Sequence, residues 1–369
     1  MGRYEVIKAD SRDKWLEILE QWEGLKPDIH YRPEYCCLYR GSGEPRLFIY
    51  REGPDVVVYP FLLRRVNSIA SPAGQFETEL YDITTPYGYG GPLSNRGAGN
   101  SAWDNFYRSF DEYCADENIV TEFIRYHPLL ENHRQADKHM EVERVSSVVY
   151  VDLQRPYEEI WAGYQRSNRK NINKARREGL EVILEEEPAH FEDFLSIYHH
   201  TMERNRASPS YYFGRDFYSL IHEDLKGCFL YAHTVRDGDV ISSELLLYNE
   251  TYIHSFLGGT VEEYFEYRPN NILKHEAIRW AKNRGIRYFV LGGGYHDGDG
   301  IYRYKSSFSK DGVLPFYIGK KVHNRKAMNI LDQLLAPEGC PEKMNFFPRY
   351  RMAERYYHPD QAGKKVSTI

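Results

Sequence analysis

Two stretches decide the fold: 4-YEVIKADSRDKWLEILEQW-22 and 180-LEVILEEEPAHFEDFLSIY-198. Each opens on a strand-like pair, Val6-Ile7 and Val182-Ile183. Each continues with apolar residues at i, i+3, i+4, i+7, the stripe of an amphipathic helix. The stripes are Trp15, Ile18, Leu19, Trp22 and Phe191, Phe194, Leu195, Tyr198, and every pair lies 176 residues apart.

The correspondence extends outward. "RLFIYREGPDVVVYPFLLRRV" reads as strand, glycine turn, strand, and so does "FLYAHTVRDGDVISSELLLYN", with Gly53 answered by Gly238. Glycine-marked strand ends follow, "PYGYGGP" and "HSFLGGT". A helix comes next in each half. The first spans 101–117, with Trp103, Phe106, Tyr107, Phe110 and Cys114 inward and a capping-box-like Ser101-x-x-Asp104; the second spans 271–284 and stops at Gly285. "NIVTEFIRYHP" and "GIRYFVLGGG" then read as strands. Agreement in the order of six elements predicts two similar α/β domains with mixed sheets, 1–145 and 150–320. The run Val145–Val151 at the join fits either sheet. Residues 336–369, rich in Pro, charge and aromatics, read as a tail that is partly docked and partly mobile.

Composition narrows the function classes. Of 369 residues 41% are apolar, ample for a packed core, yet no apolar run reaches the ~18–20 residues of a membrane span. No secretory segment opens the chain, and Val6 stands where a myristoylation signal has Ser or Thr. The five cysteines form no Cys-x-x-Cys pair, which argues against a disulfide framework or zinc site. The expectation is a soluble cytoplasmic protein. A net charge of −6 does not advertise nucleic-acid binding, so any such contact must be local. The 32 tyrosines suit core packing, or an aromatic groove for a large polar ligand.

Four segments carry candidate chemistry. "YQRSNRKNINKARREG" (164–179) presents Arg166, Arg169 and Lys170 among other cations, on a helix pinned by Trp161, Tyr164, Ile172 and Ala175. That ridge suits phosphate, in a nucleotide-linked substrate or in RNA. "MERNRASPSYYFGRDFY" (202–218) sets Arg204 and Arg206 beside Tyr211 and Tyr212 in a loop suited to line a pocket. In "FLGGTVEEYFEYRPNNILKHEAIRWAKNRG" (256–285) the strand-to-helix joint is where a coenzyme A-binding domain carries glycines. Here it has Pro269, which lacks an N–H, so the phosphate cradle is poor. His254, just upstream, is a further binding candidate. In "LGGGYHDGDGIYRYKSSFS" (291–309) no Gly precedes Lys305 as a Walker loop requires, Tyr302 occupies the glycine position of a calcium loop, and no helical stripe follows the glycines.

With these segments in view, the chain resembles the FemABX peptidyltransferases and related GNAT-fold proteins of polysaccharide and antibiotic clusters. The resemblance rests on "SNRKNINKARREGL", "YRPNNILKHEAIRWAKNRG", "FVLGGG", "YRYKSSFS", "PYGYGGP" and "RYHPLLENH", in that family's order and over nearly the whole chain. It implies two tandem GNAT-like domains and amide-bond formation. The donor would be aminoacyl-tRNA, and the acceptor an amine of a cell-wall precursor or similar small molecule, with peripheral membrane contact where that substrate is lipid-linked. By position, Lys305 with Tyr304 matches the aromatic-Lys pair near the family's reaction centre. Arg206 and Tyr211 or Tyr212 match its acceptor segment, and Tyr87 or Tyr89 would close the site from the first domain. The helical-hairpin arm of some members is absent, and the pair is Tyr-Lys rather than Phe-Lys.

Aminolysis of an ester or thioester requires a free amine, an oxyanion stabiliser and a leaving-group partner. A cationic Lys305 would supply the stabilisation. Asp297, His296 or Glu244 would accept the amine proton. No metal or cofactor is required. Two other readings stay open: an N-acyltransferase using an acyl-coenzyme A or carrier thioester in polysaccharide or secondary-metabolite biosynthesis, and an inactive paralogue that binds a glycan or nucleotide-sugar.

Overall fold

The computed structural model describes residues 2–22, 26–66, 76, 78–95, 98–335 and 346–352. From the amino end it runs β1 (Arg3–Lys8), α1 (Arg12–Glu20), α2 (Pro33–Cys37), β2 (Glu44–Glu52), β3 (Asp55–Arg65), β4 (Tyr81–Thr84), β5 (Leu93–Ser94), α3 (Asn100–Asp116) and β6 (Ile119–Arg125). Then follow β7 (Glu141–Asp152), α4 (Tyr157–Gly163), α5 (Arg166–Arg177), β8 (Glu181–Glu185), α6 (Phe191–Arg204), α7 (Arg215–Asp224), β9 (Phe229–Arg236), β10 (Asp239–Tyr248) and β11 (Tyr252–Thr260). The remainder is α8 (Pro269–Asn283), β12 (Tyr288–Gly292), α9 (Gly300–Ser306), β13 (Val313–Val322) and α10 (Arg325–Leu335).

The chain divides into two units. One gathers 1–15, 39–144 and 317–369, the other 16–38 and 145–316. The contiguous ranges read from the sequence, 1–145 and 150–320, differ in two segments: 16–38 packs with the second unit, and residues from 317 on with the first.

In the first unit β1 to β4 pair in order, all antiparallel, and β4 pairs parallel with β6. Residues 318–322 then add an antiparallel strand beside β6, and β5 attaches to β3. The core behind this sheet is aromatic: Phe48 packs edge-on to Phe110 at 5.0 Å and Phe106 stacks on Phe110 at 6.1 Å. Such pairs add energy beyond area burial. All five inward positions expected of α3 are buried. Its start differs from the expectation. Gly99 is the N-cap and makes no side-chain cap bond, so Ser101 falls inside the first turn and no capping box forms.

The second unit repeats the pattern. β8, β9, β10 and β11 pair in order, all antiparallel, and β11 pairs parallel with β12. Residues 149–152 add the antiparallel strand beside β12, which gives the Val145–Val151 run its place. Its core includes Val149, Ile172, Leu246, Ile253, Leu273, Phe289 and Leu291. Both halves thus share strand order and strand sense: a mixed α/β fold of two units related by internal repeat.

Many tyrosines serve packing: Tyr59, Tyr126, Tyr164, Tyr198, Tyr218, Tyr231 and Tyr252 are among the fully buried side chains. The tail expected at 336–369 lies outside the described residues except for 346–352. That segment docks on the first unit: Arg351 Nε donates to Asp82 Oδ2 at 2.7 Å, and Tyr350 lies 2.6 Å from Thr121. Among the described residues no helix is long and apolar enough to cross a membrane.

Candidate active site

The site grows from a place where two strands part. The parallel pairing of β11 with β12 stops at His254 and Val290, although β11 continues to Thr260. The register of β11 against β10 shifts just beyond, between the pairs Leu246/Ser255 and Leu245/Leu257. A bulge at Phe256 bends the strand and strengthens its twist. The opened end receives side chains from β10, β11, α8 and α9.

At its base lies a buried ion pair. Lys274, on α8, contacts both carboxylate oxygens of Glu244 on β10 and the hydroxyl of Ser255 on β11. Ser255 Oγ in turn donates to Glu244 Oε1 at 2.6 Å. Burial pulls the Lys274 ammonium below its usual range, and Glu244 opposes that pull. Glu244 was among the proton acceptors weighed from the sequence. Lys274 and Ser255 were missed, because nothing in their local sequence separates a buried charged helix position from a solvated one.

Lys305 lies on α9. Its ammonium donates to the Gly293 carbonyl at 2.7 Å. Its pKa is lowered to about 8, chiefly by burial and also by the charge of Lys274, while Glu244 and Asp299 pull the other way. It is therefore largely cationic near neutrality, yet a far better proton donor than a solvated lysine. Tyr304 OH donates to the Asn270 carbonyl at 3.0 Å, which ties α9 to the first turn of α8. Burial holds that phenol well above its usual value. Asp297 is exposed, and its Oδ2 accepts from Ser147 Oγ at 3.0 Å.

No helical stripe follows the glycines in the sequence, but α9 does form there. Seven residues are too few to show a period. Its start is fixed by Asp299, whose Oδ1 accepts from Tyr302 N at 2.6 Å and whose Oδ2 accepts from Tyr295 N at 2.6 Å. The glycines serve this loop. A Cβ on Gly293 would lie 2.7 Å from the Ser147 carbonyl, and one on Gly294 would lie 2.3 Å from Asp299 Oδ1. Their missing side chains thus make room for the protein's own atoms.

The other candidates have varied surroundings. On α5, Arg166 and Lys170 are exposed, while Arg169 turns back to the carbonyls at the end of α4, donating to Ala162 at 3.0 Å. Arg204 donates to the Thr260 carbonyl at 3.1 Å and lies over the Phe265 ring. Arg206 is exposed at φ 50, a left-handed conformation costly for a side-chain-bearing residue. The Tyr211 carbonyl accepts from Tyr198 OH at 2.7 Å, and Tyr212 is exposed. His254 is buried, its Nε2 2.7 Å from Asp28 Oδ2. Tyr87 and Tyr89 belong to the first unit, Tyr87 exposed and Tyr89 near His127.

The first turn of α8 offers little to a pyrophosphate. Pro269 occupies N1, Arg268 caps it at φ 64, and Pro269 and Asn271 are buried. Thr234 Oγ1 donates to the Pro269 carbonyl at 3.0 Å, and Thr260 Oγ1 donates to Asn270 Oδ1 at 2.6 Å.

Residues 164–306 match a family model described as an acetyltransferase (GNAT) domain. Among solved structures, the chain is similar to FemX, with a TM-score of 0.66 and 13% identity over 90% of this chain and 100% of that one. It is also similar to L-PGS from Bacillus licheniformis, with a TM-score of 0.54 and 14% identity over 89% of this chain and 97% of that one. No curated protein matches it. The sequence match places an acetyltransferase (GNAT) domain at residues 164–306, and the structural likeness extends the shared fold over nearly the whole chain.

Proposed function

We propose that this chain is a FemABX-like GNAT-fold acyltransferase that forms an amide bond between an aminoacyl group, carried on tRNA, and the amine of a cell-wall precursor or similar small acceptor. The observation that carries the reading is Lys305, a desolvated cation fixed by Gly293 beside the Lys274–Glu244 pair. The acceptor nitrogen attacks the ester carbonyl carbon, and the oxyanion that develops is stabilised by the Lys305 ammonium. The carbon–oxygen bond to the tRNA hydroxyl breaks, and Lys305 gives that oxygen its proton, a transfer favoured by a pKa of about 8. The amine proton goes to Asp297, and exchange with solvent resets both groups.

Arg166 and Lys170 face solvent on α5, whose opposite face buries Asn168, Ile172 and Ala175. That exposed edge suits the phosphates of a tRNA acceptor stem. Arg204, Arg206, Tyr211 and Tyr212 would line the acceptor side, and His254 the floor. Where the acceptor is lipid-linked, the enzyme meets the membrane through its substrate.

A thioester donor is the second reading, favoured by the description of the matched family as acetyltransferases. Pro269 at the head of α8 weighs against it. The deciding experiment offers charged tRNA and acetyl-coenzyme A separately to the purified protein with amine acceptors. Transfer from tRNA is expected. Transfer from the thioester alone would overturn the tRNA reading, and binding of a nucleotide-sugar with neither donor consumed would mark a binding protein.

A further inference from the structure

Away from Lys305, the residues Glu185, His190 and His233 bring three potential ligand atoms within 4.8 Å of one another. Glu185 ends β8, His190 immediately precedes α6, and His233 lies in β9 opposite Ile183 and Ser243. The carboxylate faces both rings: Oε2 is 2.9 Å from His190 Nδ1, and Oε1 is 3.3 Å from His233 Nε2.

His233 is the telling member. It is 0% exposed, and its Nε2 makes no hydrogen bond, an unusual state for a buried ring nitrogen. Its Nδ1 lies 2.9 Å from Ser243 Oγ. If Nδ1 donates to that hydroxyl, the Nε2 lone pair points at a carboxylate oxygen, an arrangement that a cation between them resolves. The buried trio Asp28, His30 and His254 differs: its carboxylate oxygen stands at hydrogen-bond distance, 3.1 and 2.7 Å, from both rings, so protons account for it.

We propose that Glu185, His190 and His233 bind a divalent transition metal of the zinc class. Ligands 2.0–2.1 Å from a tetrahedral ion stand about 3.3 Å apart, the separation that His233 and Glu185 already have. Two imidazoles and one carboxylate favour zinc, nickel or copper over magnesium or calcium. Ser243 orients the His233 ring from behind, as an outer hydrogen-bond partner does in metal sites. The His190 side chain is 37% exposed, which leaves a path for the ion and a fourth position for water. His190 releases its Nδ1 proton by changing tautomer. The bound ion would clamp the edge strand β8 and the start of α6 to β9.

The test uses the full-length protein after dialysis against a chelator. Titration calorimetry with zinc chloride is expected to show one site, and thermal unfolding a higher Tm with zinc chloride but not with magnesium chloride. His190→Ala, partly exposed and so tolerable to the fold, and Glu185→Gln should each weaken zinc binding about tenfold or more while circular dichroism stays unchanged. No zinc binding by the wild-type chain would overturn the proposal. So would zinc binding that is undiminished in His190→Ala, since the ion would then sit elsewhere.

Discussion

The ammonium of Lys305 donates a 2.7 Å hydrogen bond to the carbonyl of Gly293, so the end of β12 and the helix α9 hold one another at the splayed strands. If that cation stabilises the oxyanion, Lys305→Ala lowers kcat by about 10²–10³-fold, the usual cost of one such donor. The far-ultraviolet circular dichroism should not change. Turnover near the wild-type rate would remove Lys305 from the mechanism.

In that role the same lysine would set a pH limit. Its pKa is lowered to about 8, chiefly by burial, so the cation is present below that value and lost above it. A rate–pH profile of kcat/KM should descend through about pH 8. A profile that instead rises there would mean that the neutral amine is the active form.

Lys274 and Glu244 form a buried pair whose members cannot be removed singly without cost. Lys274→Met or Glu244→Gln should each destabilise by about 3–5 kcal/mol, because the partner charge is left buried. The double variant should recover part of that loss. Denaturant unfolding of the three variants measures it, and additive losses would argue against coupling.

Asp299 caps α9 and should matter through that helix. Its carboxyl is pushed up by burial but pulled below its ordinary value by the amides of Tyr302, His296 and Tyr295. A carboxyl lowered in the folded state adds stability that is present above its unfolded-state pKa and lost as pH falls through the folded one. Asp299→Ala should cost about 1 kcal/mol at neutral pH, and the gap from wild type should narrow in acid. Thermal unfolding at neutral and acidic pH checks both.

On α5, Arg166 and Lys170 are exposed, whereas Arg169 is committed to α4. If the donor is carried on tRNA, charge reversal at Arg166 and Lys170 should weaken tRNA binding and flatten its salt dependence. Arg169→Glu should chiefly lower Tm. Binding isotherms at several salt concentrations distinguish them, and an unchanged salt slope in the reversed variant would move the tRNA contact elsewhere.

Much of the fold was legible in the sequence because it depends on local periodicity. Trp15 and Phe191 share a helical stripe position 176 residues apart, and the glycine turns at Gly53 and Gly238 fall at positive φ between paired strands. Those signals need only side-chain polarity and backbone freedom. Ser101 shows where local reading fails: its capping pattern is genuine as a pattern, but the helix starts two residues earlier at Gly99, and packing decides such boundaries. The short helix α9 was hidden because seven residues carry no period.

The sequence by itself determined two repeated α/β units and singled out Lys305. The tertiary structure alone decided what surrounds that lysine. Glu244, Ser255 and Lys274 come from two strands and a helix, and they meet only because β11 bulges and leaves β12. Glu185, His190 and His233 converge likewise, from a strand end, a turn and a neighbouring strand. Periodicity is local and can be read along the chain. A pKa or a ligand set depends on burial and on distances across the sheet, which exist only once the chain has folded.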